Sequence, residues 1–394
     1  MGKLSLFLVL GFSILYIILG SNSNKLSTQA VENMSDYHAN TMAHSVAVSG
    51  TNLAANQLFL NGAWAAGYSS VDFENGSFSV GIQVLDAWKN IRKLTTTGTY
   101  GGVSKTIEVI YKPSNFSKFA YYSVSESGIH WHAGDTVWGP WHSQDHLTVN
   151  LTPVFYGKAT SKKGIIYETG SDDPKFYGGF EQGVDVPMPS TSVSNLENLA
   201  IDDGWHLTGQ DTVYLTFEGD SVKYRNSYSS PPTAYLLSSL ANNGILFAQN
   251  AVLRIQGTIK GMYTVGSNKR IYIDNDIVYN TDPRIDPTST DLFGIVTEKD
   301  VLVTDTPVNH DGVNIHASIF CKDEGFGAEN PGTRPNSGQL HLLGGIQQFY
   351  RKLVSNPWPS HGFLKAYRYD TRLMVASPPG YPGTGLMEII TWFE

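Results

Sequence analysis

Four histidines crowd one stretch of the chain, "GIHWHAGDTVWGPWHSQDHLTVNLTP". His130, His132, His142 and His146 interleave there with Trp131, Trp138 and Trp141. Neutral imidazole is a zinc ligand. Zinc needs three or four ligands that converge on one point, with a further layer of hydrogen bonds to orient them. His130 and His132 would share one strand face, and the alternative, preferred here, is that the rings decorate strand faces and corners. A second cluster, "YIDNDIVYNTDPRIDP", holds Asp274, Asp276, Asp282 and Asp286. Carboxylates so grouped suit calcium, or an acid and base acting on a glycosidic bond. Their spacing misses the twelve-residue calcium loop, and Asp-Pro and Asn-Asp pairs are corner formers. The reading adopted is no catalytic residue, no cofactor and no metal. The four aspartates stay as calcium candidates, and Asp274 with Asp276 as the pair a glycan-cleaving protein would use.

The remaining reactive groups point elsewhere than catalysis. Cys321 is the single cysteine, which excludes an internal disulfide, and no catalytic signature flanks it, so it reads as a small buried hydrophobe. Gly257, Gly261 and Gly266 do not follow the dinucleotide fingerprint and read as corner residues. No nucleophile elbow or phosphate loop is present. In "YRYDTRL", Arg368, Asp370 and Arg372 alternate, which on a strand makes a one-sided charge ladder.

What must position these groups is a β-rich body. Of 394 residues only 16% are charged, with 39 glycines and 21 tyrosines, the texture of a turn-rich protein outside the cytoplasm. The net charge of −8 without a basic block excludes nucleic acid as a partner. Residues 77–86, 90–100 and 104–112 read as strands of an antiparallel sheet, punctuated by glycine. From residue 116 onward, short strands alternate with Gly, Pro and Asp corners, as in "AVLRIQGTIKGMYTVGSNKRIYIDNDIVYN" and "GVNIHASIFCKDE". Such coils must stack to bury their apolar side, which suggests a β-solenoid, with a sandwich as the alternative. Residues 170–240 are more polar and read as an insertion, with a helix or loop at "SVSNLENLAIDDG" and a hairpin turning at Glu218-Gly219-Asp220. The last segment, "LMEIITWFE", reads as a strand that caps the solenoid's open end.

The chain begins differently. Leu4, Leu6, Phe7, Leu8, Leu10, Phe12, Ile14, Leu15, Ile17, Ile18 and Leu19 make an apolar run, with no charge between Lys3 and Lys25. That is close to the ~20 residues a spanning helix needs, and it lacks a small-residue cleavage pattern. Behind it Leu26, Ala30, Met34, Tyr37, Met42, Val46 and Leu53 recur at helical spacing, without proline. One helix from Lys3 to Leu60, about 85 Å long, is the economical reading. Its apolar part (4–20) suits lipid, and its amphipathic part (25–60) suits packing against other helices.

This arrangement resembles the type IV pilins and pseudopilins. "AVSGTNLAANQLF" at Ala47–Phe59 is similar to the stem of minor pilins of the PilX type. In major pilins a glutamate at the fifth mature position pairs with a neighbour's amine. Counted from Lys3 that position is Phe7, and the first acidic residue is Glu32, which within that family suits a minor or tip subunit. Scattered segments over 120–390, among them "GDTVWGPWH", "LHLLGGIQQ" and "YRYDTRLMVASPPGYP", resemble a bacterial surface domain family of unknown function. That resemblance implies a solenoid-like ectodomain at the envelope and no reaction.

The expectation is therefore an α+β protein: a pilin-like helix (1–60), a short antiparallel sheet (61–115), and a β-solenoid-like domain (116–394). It would be a non-enzymatic subunit held first in the cytoplasmic membrane and then in or on an extracellular filament. Its partners would be other pilin-like subunits and surface glycans. The alternatives are a membrane-tethered glycan-binding or glycan-cleaving protein, and a tether that never polymerises.

Overall fold

The computed structural model describes residues 2–61, 64–86, 91–356 and 361–394. The chain is α+β: one long N-terminal helix, then a mainly β body that includes an antiparallel sheet. It divides into two compact units. Unit one runs to Lys112 and takes in Met387–Glu394; unit two is Pro113–Leu386.

In unit one, helix α1 spans Gly2–Leu60 without a break at Gly20 or the Asn/Ser cluster that follows. The strands β1 (Tyr68–Phe73), β2 (Gly76–Asp86), β3 (Ile91–Tyr100) and β4 (Val103–Asn115) form an antiparallel meander. Asn90, where the second expected strand begins, lies outside the described residues. β1 is absent from the sequence expectation. Its signal is the Glu74-Asn75 corner, where both residues take positive φ, as a two-residue hairpin turn of this kind requires. The C-terminal strand Gly383–Phe393 lies beside β4 in this sheet. The expected capping of a solenoid end is thus overturned: "LMEIITWFE" finds its backbone partners at the edge of unit one.

α1 covers this sheet with a narrow stripe. Ala43, Val46, Ala47, Gly50, Thr51, Ala54 and Leu58 are buried, spaced by three and four residues. They meet Phe78 and Val80 of β2, Leu94 of β3, and Ile107 and Val109 of β4. Helix and sheet are in close contact at Gly98 on β3. A Cβ there would lie 2.4 Å from the Ala47 nitrogen and 2.5 Å from the Ala43 carbonyl oxygen. Both are backbone atoms, so only glycine lets the helix settle at this depth.

Unit two is built from turns stacked by parallel pairing. One ladder runs through Trp205–Leu207, Ile245–Ala248, Met262–Ser267, Leu292–Thr297, Val313–Cys321 and Asn336–Tyr350. It then continues through Tyr121–Ser125, Trp141–Ser143, Ala159–Ser161 and Phe180–Gln182. The spatial order is therefore permuted against the sequence: the chain enters mid-stack, runs to one end, and restarts at the other. The inward column follows the pairing. Trp205, Leu246, Val265, Ile295, Ile319 and Ile346 lead into Tyr121, Trp141, Ala159 and Phe180, all in one core cluster. Each side chain covers the next, so no rung buries its apolar face alone.

Helix α2 (Ser192–Asp203) packs over the outer side of this ladder. Its Val193, Leu196 and Ala200 meet Phe247, Val296 and Phe320. Gly266 is part of that surface. A Cβ on it would sit 2.6 Å from Leu196 and 2.7 Å from Phe247, so it is a mid-strand close contact rather than a corner. Gly261 does turn a corner between strands at positive φ, whereas Gly257, also at positive φ, lies inside the strand Val252–Ile259 at a shift of register. The span expected as an insertion contributes rungs of its own, at Lys175–Phe176, Phe180–Gln182, Trp205–Leu207 and Thr212–Gly219. Thr212–Gly219 is the first arm of the expected hairpin with Ser221–Arg225, while the others, of two or three residues, carry no alternation from which a strand could be read.

The two ends of unit two touch. Phe116 N–H donates to Pro382 O at 2.9 Å, Asn115 Nδ2 to Ser377 Oγ at 2.7 Å, and Thr384 Oγ1 to Ser114 O at 3.1 Å.

Candidate functional site

Two features stand out: a bare apolar helix in unit one and a charged cavity in unit two. Along α1, every residue from Gly2 to His38 is exposed. Leu4 is 78% exposed, Phe7 74% and Ile17 70%. The helix is long and apolar enough to cross a membrane, and none of its most apolar window is buried within the chain. The expected packing positions divide. Leu26, Ala30, Met34, Tyr37 and Leu53 are exposed, Met42 is half-buried, and Val46 faces the sheet of unit one.

The histidines do not converge. His130 Nδ1 lies 2.9 Å from Glu168, and its ring centroid is 6.0 Å from that of His132. His142 is fully buried in the outer column of the main ladder, stacked on Tyr122 at 5.4 Å and bonded to Thr160 Oγ1 at 2.7 Å. Burial lowers its pKa to about 4, so it is neutral near pH 7. His146 sits 3.7 Å from Asp145.

The aspartates are likewise held apart. Asp274 takes a two-pronged bond from Arg254, and Asp276 accepts from the backbone and side chain of Asn314. Asp282 is bound by Arg284, which with the backbone N–H bond holds its pKa down at about 2. Asp286 accepts from Thr288. Among the described residues no three His, Cys, Asp or Glu side chains form a metal-binding set. Cys321 is fully buried, and burial pushes its thiol pKa well up. The charge ladder expected at Arg368, Asp370 and Arg372 is corrected. The strand ends at Arg368, and Asp370 caps the short turn Thr371–Met374 while pairing with Arg372. A capping carboxylate satisfies the free N–H groups of that turn, which a strand would not offer.

The cavity lies where the permuted halves of unit two join. It measures about 660 Å³ and is bounded by the turns at Tyr121–Trp138 and Phe326–Tyr369. The main ladder crosses this join in register, Ile346 to Tyr121. Among the described residues no ladder pairing links His361–Arg368 to Thr136–Val137, and the gap opens there. A buried ion pair staples the join. Arg351 Nη1 donates to Glu126 Oε2 at 3.0 Å, with side chains 6% and 4% exposed. Glu126 also accepts from Trp131 Nε1 and Ser123 Oγ, and the guanidinium lies 4.2 Å from the Trp131 ring centroid. With its charges thus matched, the pair survives burial; removing one partner alone would cost about 3–5 kcal/mol. Lys365 faces the cavity with its nearest carboxylate, Asp135, at 3.7 Å. Of the groups at this cavity, His130, Trp131, His132, Trp138 and Arg368 stand out in the sequence, whereas Glu126, Asp135, Arg351 and Lys365 do not. The available signal was the charged residues set in apolar strands, "YRKLV" and "FLKAYRY", but partners some 225 positions apart could not be matched.

No family model matches the chain, and no curated protein does. Among solved structures it is similar to the competence-associated pilin ComZ from Thermus thermophilus, at a TM-score of 0.37 and 11% identity. The match covers 90% of this chain and 97% of that one.

Proposed function

We propose that this chain is a pilin-like structural subunit of the cell envelope. α1 anchors it in the cytoplasmic membrane and then packs among the stems of like subunits in or on an extracellular filament. The carrying observation is the contrast within α1: residues 2–38 are bare, with an apolar run over 4–20, while from 39 onward one face is covered. An apolar surface of that extent requires lipid or other helices. Close packing would use the small and apolar positions Leu26, Ala30, Met34 and Tyr37. With Phe7 at the place of the usual glutamate, no carboxylate is present to lock the register. That favours a minor or tip position over the bulk of the fibre. The stacked turns of unit two read as a β-solenoid ectodomain facing outward.

A glycan-binding reading is favoured by the cavity. The glycan-cleaving version loses its acid and base, because Arg254 and Asn314 occupy Asp274 and Asp276. Leu10→Asp tests the main reading. A carboxylate at mid-span costs about 2.5–3.5 kcal/mol in lipid and has no partner charge in a helical bundle. The variant should vanish from sheared surface fibres. Its recovery there at the wild-type level would sink the proposal, as would recovery of the wild-type protein in membranes alone.

A further inference from the structure

Besides Arg351 and core residues of the stack, the cavity at the join is lined by Lys365, Arg368, Tyr367 and Trp138. Lys365 lines the cavity and keeps 38% of its side-chain surface open. Burial and the neighbouring Arg351 lower its pKa, the mark of an ammonium short of compensating charge. Asp135 lies beyond hydrogen-bond reach at 3.7 Å, and its other oxygen accepts from the His132 N–H at 3.0 Å. Arg368, also on the lining, has no carboxylate within ion-pair distance among the described residues. The walls are aromatic. Tyr367 lines the cavity with no hydrogen-bond partner for its hydroxyl among the described residues. Trp138, on the lining, is 56% exposed, with its ring stacked on Tyr156 at 4.1 Å and on no other ring among the described residues.

We infer that this cavity binds an acidic saccharide, a short uronate-containing glycan, seated with its carboxylate at Lys365 and its sugar rings against Tyr367 and Trp138. The volume falls within the roughly 300–1,000 Å³ of small-molecule sites. A carboxylate completes the charge balance that Asp135 leaves unfinished. Flat apolar ring faces suit the C–H side of a pyranose, while Tyr367 and Asp135 meet hydroxyls. Simple anions would use the cations and leave the aromatic walls without a role. The inference uses residues of unit two only, so it stands or falls apart from filament assembly.

The test is calorimetric titration of the full-length protein in detergent with trigalacturonate, maltotriose and sodium acetate. Trigalacturonate should bind saturably at one site and weaken as salt rises. Lys365→Met should weaken it roughly tenfold or more, Lys365→Arg should retain most of the affinity, and Tyr367→Phe should lose a smaller factor. Thermal unfolding of each variant verifies that it is folded. No saturable binding of trigalacturonate at millimolar concentration overturns the inference, and so does unchanged binding to folded Lys365→Met. Equal affinity for maltotriose overturns the acidic class, and equal affinity for acetate overturns the saccharide.

Discussion

Unit one and unit two solve the same problem in opposite ways. Each has β structure with an apolar face to hide. Unit one hides it under a single helix, whose contact narrows to backbone on backbone at Gly98. Unit two hides it rung under rung, so the inward column from Trp205 to Phe180 shares the load among many similar contacts. A cover made of one element concentrates its sensitivity at one place. A cover made of repeats spreads it, and damage stays local.

The largest break in that contrast should come from Gly98→Val. Its branched side chain would collide with the backbone of Ala43 and Ala47, which cannot move without lifting α1 off the sheet. Unit one should lose about 4 kcal/mol or more, in line with severe overpacking. Hydrogen exchange should show amides of 43–58 and of β3 losing protection together while unit two keeps its own; unchanged protection would disprove the single-contact view.

Next comes Arg334→Met in unit two. This guanidinium is 1% exposed and bonds Ser337 Oγ and the carbonyls of Val303, Thr304, Glu329 and Asn309. It also lies 4.3 Å from the Phe363 ring centroid. Its removal strands those carbonyls and should cost about 3 kcal/mol. The effect should stay within the turns around residues 303–337. Exchange that rises throughout unit two would show that its turns unfold as one.

The smallest effect should come from mild acid. His142 and His316 are both buried in unit two, and burial lowers each pKa from 6.5 to about 4. The unfolded chain therefore binds protons first as pH falls below 6.5. Stability is fully present above that pH and is lost progressively towards 4. At pH 5.5 each should contribute about 1 kcal/mol of loss. His142→Gln should flatten the dependence seen in thermal scans of unit two between pH 6.5 and 5. An identical slope in the variant would remove His142 as a cause.

Much of unit one is legible in the sequence, since its signals are local. A long proline-free period marks α1, and Gly101-Gly102, both at positive φ, mark the hairpin between β3 and β4. The turns of unit two are legible where Ile and Val alternate, as in Val252–Ile259 and Ile271–Tyr279. They fade where rungs shrink to Trp141–Ser143 or Ala159–Ser161. The permuted order was invisible, because nothing in Tyr121–Ser125 announces that it will pair with Asn336–Tyr350. The charged cavity at that join was hidden for the same reason. The histidines and aspartates caught the eye by composition, yet His142 is a packed rung and the aspartates are held by Arg254, Asn314, Arg284 and Thr288.

The strand Gly383–Phe393 that borders β4 is synthesised only after nearly all of unit two. Its neighbour β4 leaves the ribosome with an open edge and must wait for all of unit two, roughly 15–50 s at 5–20 residues per second. The five-stranded sheet of unit one is thus completed only once unit two has been made. A truncated product would carry an exposed edge strand, the feature that invites wrong pairing and proteolysis. The order of translation then acts as a proofreading step, because β4 gains its neighbour only in chains that have made unit two.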